Sequence, residues 1–421
     1  MRARLHWSAI VVVVLVAMGS SVRAEELGFP QRCLELEKQA SSTAHWDTFS
    51  TKDSVCLRLI PESGKGKNAA SQSFIAWDLK TGKWLAKRPA FDALAHRWKF
   101  SPDGKYLAVP GDEAGGSVQL WEVGAKDIHG VPQLRLIARL AHRNDSLKGR
   151  RDIVYVEWTP DSKTLLTICN AALAPWVPQI LFWSLTDKPS VLSESKPGQQ
   201  EPTAWKPWAK LEFDSAVDFA VSPDNRTLAV IEMQQRKKQS HVDGHFFDLQ
   251  TAQPREEFKV DQRIVSEAEG FRQHIPHFSP DSKTLAITSL GYFALWNTSP
   301  PAPRVEMVRP DFLEIWGQTN EVVFTPDSRW LLTKMIAEHN QAGTFTGGVL
   351  QVRDSQSGKV HREVSFPKSL GQFSRIDSLP DGRVRTRFIS RKHPPREFLW
   401  HTDDLLRYAA EHGSEPRGIE K

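Results

Sequence analysis

Phe100–Val109 reads FSPDGKYLAV, and the same plan returns five times: WTPDSKTLLT from Trp158, VSPDNRTLAV from Val221, FSPDSKTLAI from Phe278, FTPDSRWLLT from Phe324 and SLPDGRVRTR from Ser378. The plan is an aromatic or apolar residue, Ser or Thr, Pro-Asp, a small polar residue and an apolar run. A looser version, Phe49-Ser50-Thr51-Lys52-Asp53-Ser54 followed by VCLRLI, makes a seventh. Proline presets φ for the first central position of a tight turn, and Asp with Gly, Asn or Ser favours the remainder. Short β-branched and apolar runs flank the phrase, so it joins two strands of a hairpin. A proline without an N–H is tolerated in such a turn and not in a central strand.

A second element follows each phrase: an alternating apolar segment ending in an aromatic and, in most copies, a polar residue. Its copies are FIAWDL (Phe74–Leu79), VQLWEV (Val118–Val123), ILFWSL (Ile180–Leu185), HFFDL (His245–Leu249), FALWNT (Phe293–Thr298), LQVRDS (Leu350–Ser355) and FLWHT (Phe398–Thr402). Another short strand then leads into the next phrase. Four short strands per unit, repeated seven times, predict an all-β, seven-bladed propeller.

On these residues the chain resembles the WD-repeat (WD40-like) β-propeller family across roughly residues 45–402. The aromatic-plus-acid ends Trp77-Asp78 and Trp121-Glu122 favour this type over a periplasmic propeller of the Tol system, whose repeats also carry Ser-Pro-Asp. The chain departs from the family in lacking most Gly-His pairs; only Ala95-His96 and His274–His277 loosely match them. The hydrogen-bonded tetrads of the family are therefore expected to be missing from most blades. The Pro-Asp spacings of 58, 63, 57, 46 and 54 residues exceed the usual forty-odd, so the loops are enlarged.

Residues 1–24 have the layout of a secretory signal peptide: Arg2 and Arg4, an apolar run from Ala9 to Ala17, then Val22-Arg23-Ala24. The apolar run is short for a bilayer span, so no stable membrane anchor is expected unless this segment stays uncleaved. Cleavage at about Ala24 would leave the protein periplasmic or extracellular. It would also remove Arg2, Arg4 and Arg23, taking the net charge from +5 to +2, which gives no global case for nucleic-acid binding. Of three cysteines, Cys33 and Cys56 are the pair a disulfide would join; buried free thiols in strand-like text are the alternative.

The layout expected is therefore a signal peptide over 1–24, a propeller over 25–402, and a C-terminal helix and tail over 403–421. The last repeat supplies only three strands before Thr402–Ala410 reads as a capped helix. Its outer strand is expected from about residues 32–38, in the way WD-type propellers close, which also removes an exposed edge.

Successive links in an antiparallel blade alternate between the two faces of the disc. Naming the strands a to d, the a–b and c–d turns share one face, and the b–c and d–a links share the other. The long segments 110–117, 143–151, 170–178, 193–210, 233–244, 261–273 and 336–348 all read as b–c or d–a links. They predict one loop-rich face, where a rigid scaffold ordinarily binds. Trp176, Trp205 and Trp208, flanked by prolines, and Arg150 and Arg151 are the candidate partner-binding residues. Asp145 and Asp152 intersperse the basic residues, which argues for a solvated mixed-charge face. His241 and His245, four apart on a strand, are too widely separated for a helical zinc pair. No G-x-S-x-G, H-E-x-x-H, P-loop or dinucleotide fingerprint is present, so no catalytic residue, metal or cofactor is expected. The reading is a monomeric, non-catalytic scaffold for a protein or peptide. Its rivals are a propeller enzyme or carbohydrate-binding protein using the central channel, and the Tol-type propeller.

Overall fold

The computed structural model describes residues 29, 33–36, 47–50, 54–61, 72–89, 98–110, 117–141, 153–169, 178–186, 205–215, 217–236, 239–260, 275–289, 292–308, 322–336, 348–379, 381–390 and 395–414. Seven four-stranded antiparallel sheets form the blades of a propeller. Blades 1 to 6 run in chain order, over 47–89, 99–141, 153–212, 217–260, 275–308 and 322–365. Blade 7 takes Gln372–Ser378, Val384–Ile389 and Arg396–Trp400 from the C-terminal region. Its fourth, outer strand is Leu34–Glu35, with Leu34 opposite Leu399 and Glu35 opposite Phe398.

The Pro-Asp phrase explains the a–b turns atom by atom. In blade 4 the Ser222 hydroxyl donates to Asp224 Oδ1 at 2.6 Å and accepts from the Thr227 N–H at 2.8 Å. Ser101, Thr159 and Ser279 make the same pair of bonds in blades 2, 3 and 5. The residue after Asp takes a left-handed φ in every blade: Ser54, Gly104, Ser162, Asn225, Ser282, Ser328 and Gly382. In the loose seventh phrase Ser54 takes the same backbone conformation. In blades 3, 5 and 6 this residue is serine and its hydroxyl accepts the Asp N–H of the preceding blade: Asp103 to Ser162, Asp224 to Ser282, and Asp281 to Ser328, at 2.9–3.0 Å. The phrase therefore builds a turn and latches it to its neighbour.

Hydrophobic packing lies between the blades, one core to each interface. Leu57, Phe74, Trp98 and Leu107 join blades 1 and 2, and Leu166, Phe182, Phe219 and Val230 join 3 and 4. The most extensive core joins blades 6 and 7 and is capped by the helix Thr402–His412 through Leu405 and Tyr408. The helix cap differs from the one expected. His401 holds the N-cap position without a side-chain bond, and the Thr402 hydroxyl instead donates to the Gly382 carbonyl at 2.6 Å. Buried indoles are satisfied inside blades: Trp183 donates to Thr167, and Trp400 to Thr386, both at 2.8 Å.

The closing seam, between blades 7 and 1, combines apolar and ionic contacts. Cys56, Ile75, Trp77, Leu379 and Leu399 form its core. Beside them the Arg58 guanidinium meets the Glu397 carboxylate at 2.6 Å and lies 4.9 Å over the Trp77 ring. Arg396 and Glu35 pair at 2.6 Å along the outer strand. Gly82 is required here, since a Cβ on it would stand 2.8 Å from the Glu35 carbonyl oxygen and its φ is +70°.

Cys33 and Cys56 are not joined by a disulfide; both are the buried free thiols of the alternative reading. Cys33 belongs to the core between blades 6 and 7, and Cys56 to the core between blades 7 and 1, so they lie on opposite sides of blade 7. Burial, with Asp404 and Glu35 nearby, pushes the Cys33 thiol well above its ordinary pKa and leaves it unreactive. Among the described residues no helix is long and apolar enough to cross a membrane.

Candidate functional site

The a strands line the central channel, and the position three before each proline recurs just inside the Pro-Asp face. It holds Lys99, Glu157, Ala220, His277, Val323 and Asp377 in blades 2 to 7. The residue after it (Phe100, Trp158, Val221, Phe278, Phe324) packs between blades, so alternation along the strand turns these positions the other way. Lys99 and Glu157 form an ion pair across the interface of blades 2 and 3. The Tyr155 hydroxyl donates to Glu157 Oε2 at 2.8 Å, and the Lys99 ammonium lies 5.6 Å from the Tyr155 ring centre. Burial alone would lower the Lys99 pKa, but Glu157 and Tyr155 hold it above the ordinary lysine value. The Lys99 side chain is nonetheless 42% accessible, as expected of a group facing an open lumen.

His277 in blade 5 is the opposite case. Burial, reinforced by the Lys99 charge, pushes its pKa down to about 4, so it is neutral at physiological pH. In blade 4 the Glu232 carboxylate, 3.4 Å from His245 Nε2, raises the histidine pKa against the cost of burial. The two shifts have opposite consequences. His277 takes up its proton more readily unfolded, so its stabilising contribution falls as pH drops from the ordinary histidine range to about 4. His245 holds its proton more tightly when folded. Its contribution is complete below the ordinary histidine pKa and lost as pH rises through the raised one. His277→Gln should therefore flatten the melting-temperature profile on the acid side, and His245→Gln on the neutral-to-alkaline side. Superimposable profiles for parent and variants would contradict both assignments.

The candidate tryptophans do not share one face. Residues 185–208 join the c strand Gln179–Ser184 of blade 3 to its d strand Ala209–Glu212. The insert expected at 193–210 is therefore a c–d link and opens on the Pro-Asp face. Trp205 is half-buried against the core of blades 2 and 3, so it packs the insert onto its own blade. Trp208 is 41% exposed, with its ring edge-to-face on Phe182 at 5.1 Å and its N–H donating to the Phe182 carbonyl. Trp176, Arg150 and Arg151 lie outside the described residues, and the strands flanking their segments open to the other face. The insert expected at 233–244 is mostly strand: Thr227–Arg236 and Gln239–Asp248 stay paired up to Arg236 and Gln239.

The sequence did not single out Trp84 and Ile128. Trp84 begins the d strand of blade 1 and is 39% exposed, while Ile128 in the c–d turn of blade 2 is 95% exposed. With Trp208 they place exposed apolar groups at the c–d ends of three successive blades, on the Pro-Asp side. Among the described residues no three His, Cys, Asp or Glu side chains converge on a metal-sized site.

No known protein family and no curated protein matches the sequence. Solved structures do. Sqt1 of Chaetomium thermophilum superposes with a TM-score of 0.54 at 13% identity, covering 84% of this chain and 82% of that one. Sqt1 bound to the N-terminus of the ribosomal protein L10 gives 0.55 at 13% identity, covering 84% of each chain. What is shared is the seven-bladed propeller. At this identity the likeness extends to the fold alone.

Proposed function

We propose that this chain is an exported, non-catalytic scaffold that binds a protein or peptide on one face of the disc. The observation that carries the reading is the run of exposed apolar side chains at the Pro-Asp rim. Trp84, Ile128 and Trp208 stand on three neighbouring blades, at the outer, c–d edge of that face. Isolated exposed apolar residues are ordinary, but a set of them repeated on one side of a rigid frame fits the anatomy of a partner site. The likeness to a propeller solved with a peptide segment of another protein is consistent with this use of the fold. Export rests on the leader-like residues 1–24, after which the protein would be periplasmic or extracellular.

The test is a pull-down from envelope extract with the parent and with Trp84→Ala plus Trp208→Ala. Loss of specific partners in the variant, with an unchanged melting temperature, is the expected result. An unchanged partner list would remove this rim from consideration.

A further inference from the structure

Apart from the outer rim, a second set of polar side chains meets inside the channel, just within the Pro-Asp face. At one level stand Lys99, Glu157, Ala220 and His277, from the innermost strands of blades 2 to 5 in succession. Exposure alternates along these strands. Tyr155 and Glu157 are half-buried between the buried Val156 and Trp158, and Asp218 and Ala220 alternate in the same way with Val217 and Phe219. An innermost strand has a blade on either side, so the solvent that reaches the half-buried set is the solvent of the channel. Lys99 and His277 belong to nearly opposite blades of the ring, yet the Lys99 charge is felt at the His277 imidazole. Both look onto one shared space.

On blades 2 and 3 the wall of this space is fixed by hydrogen bonds. Glu157 accepts the Lys99 ammonium and the Tyr155 hydroxyl on Oε2, and the Trp158 N–H on Oε1. The Lys99 and Glu157 charges cancel, but an ammonium has three N–H donors, and the Lys99 side chain stays open to the lumen. On blade 5 the imidazole is neutral at physiological pH, and its Nε2 is enclosed with no protein group bonded to it. A buried polar atom left in that state asks for an explanation other than folding. Between these two walls blade 4 contributes only the methyl group of Ala220, the smallest side chain at this level, which leaves room.

We propose that this part of the channel binds an uncharged polyol of sugar-ring size, with Lys99 and Glu157 on one side, His277 on the other and Ala220 between them. The ligand class follows from charge. A cation would meet the Lys99 ammonium, and an anion would meet the carboxylates of Glu157 and of Asp218, which shares a strand face with Ala220. A hydroxyl group both donates and accepts, so neighbouring hydroxyls of one ring can accept from Lys99 and donate to Glu157 or to the imidazole. The ring is either a free monosaccharide or the end residue of a glycan, since the level lies just inside one face of the disc. Neither source depends on the peptide-binding role proposed for the outer rim.

The experiment exposes the full chain to an array of neutral, acidic and amino mono- and oligosaccharides, and measures each hit by calorimetric titration. At least one neutral sugar is expected to bind saturably, ahead of its uronic-acid and amino-sugar counterparts. His277→Phe should weaken that binding by about tenfold or more, the loss of one hydrogen bond to the ligand. Ala220→Leu alters none of the polar groups and should block the site at an unchanged melting temperature. Competition by the monosaccharide supports the site with a free sugar as its source, and competition by longer glycans alone supports it with a chain end. No saturable binding of any neutral sugar, a preference for the charged counterparts, or equal binding by the parent and both folded variants overturns the proposal.

Discussion

Deleting residues 28–39 should abolish soluble expression or lower the melting temperature by about 10 °C. The segment supplies the outer strand of blade 7 and three side chains buried in two separate cores, Phe29, Cys33 and Leu36. Phe29 is the largest contributor. Its ring centroid lies 4.5 Å from that of Trp400, 5.1 Å from Phe398 and 5.4 Å from Tyr408. Burying apolar side chains of this size is worth about 1.5–3 kcal/mol each, so the three together contribute about 5 kcal/mol. The Arg396–Glu35 pair and the backbone bonds to Arg396–Trp400 would go with them. In domains of 150–250 residues each kcal/mol moves the midpoint by roughly 2–4 °C, and less in longer chains, giving the value above. The deletion would also expose Arg396–Trp400 as an unpaired edge, which invites aggregation. Phe29→Ala separates the two effects: it should cost about 3–5 kcal/mol while leaving the edge covered. If the deleted chain expresses and melts like the parent, the ring does not depend on this strand.

The fold was legible because its decisive chemistry is local. Ser or Thr, Pro and Asp within four residues close the turn through Ser222-type hydrogen bonds that need nothing from the rest of the chain. Even the divergent phrase at Phe49–Ser54 places Ser54 at φ 52°. Long-range placement was harder to read. The d strand of blade 3, Ala209–Glu212, is short and alternates between half-buried and exposed, with no apolar run to mark it. The insert before it was therefore assigned to the wrong face. Residues 233–244, with Arg236, Lys237 and Lys238, read as a loop because polar composition hides a hairpin longer than its apolar core. The cysteine spacing carried no information about which side of blade 7 each thiol would occupy. Trp84, an apolar residue in strand text, looks like core until the neighbouring blade is in place, and Ile128 lies in a turn where no periodicity marks it.

Removing a carboxylate from the closing seam should cost far more than removing a cation. Glu397 accepts Arg58 at 2.6 Å and Arg385 at 3.3 Å, with Arg387 at 3.5 Å, and its side chain is 5% accessible. Glu397→Gln would leave those three guanidinium groups facing an uncharged amide. Breaking a buried ion pair by removing one partner costs about 3–5 kcal/mol, because the remaining charge is neither solvated nor paired. Arg387→Met is a different change. It removes one of two like charges that stand opposite each other, Arg387 and Arg375, and replaces the stem with an apolar chain of similar reach. Its expected cost is the smaller, because Glu397 keeps Arg58 and Arg385 as partners. The Glu397 side chain is buried, so added salt should recover little of the loss. Urea unfolding of both variants at neutral pH measures the difference. Equal costs would mean that the carboxylate contributes no more to the seam than one of the cations around it. A cost for Glu397→Gln several times that for Arg387→Met would mean that the seam which closes the ring is held together by its two carboxylates.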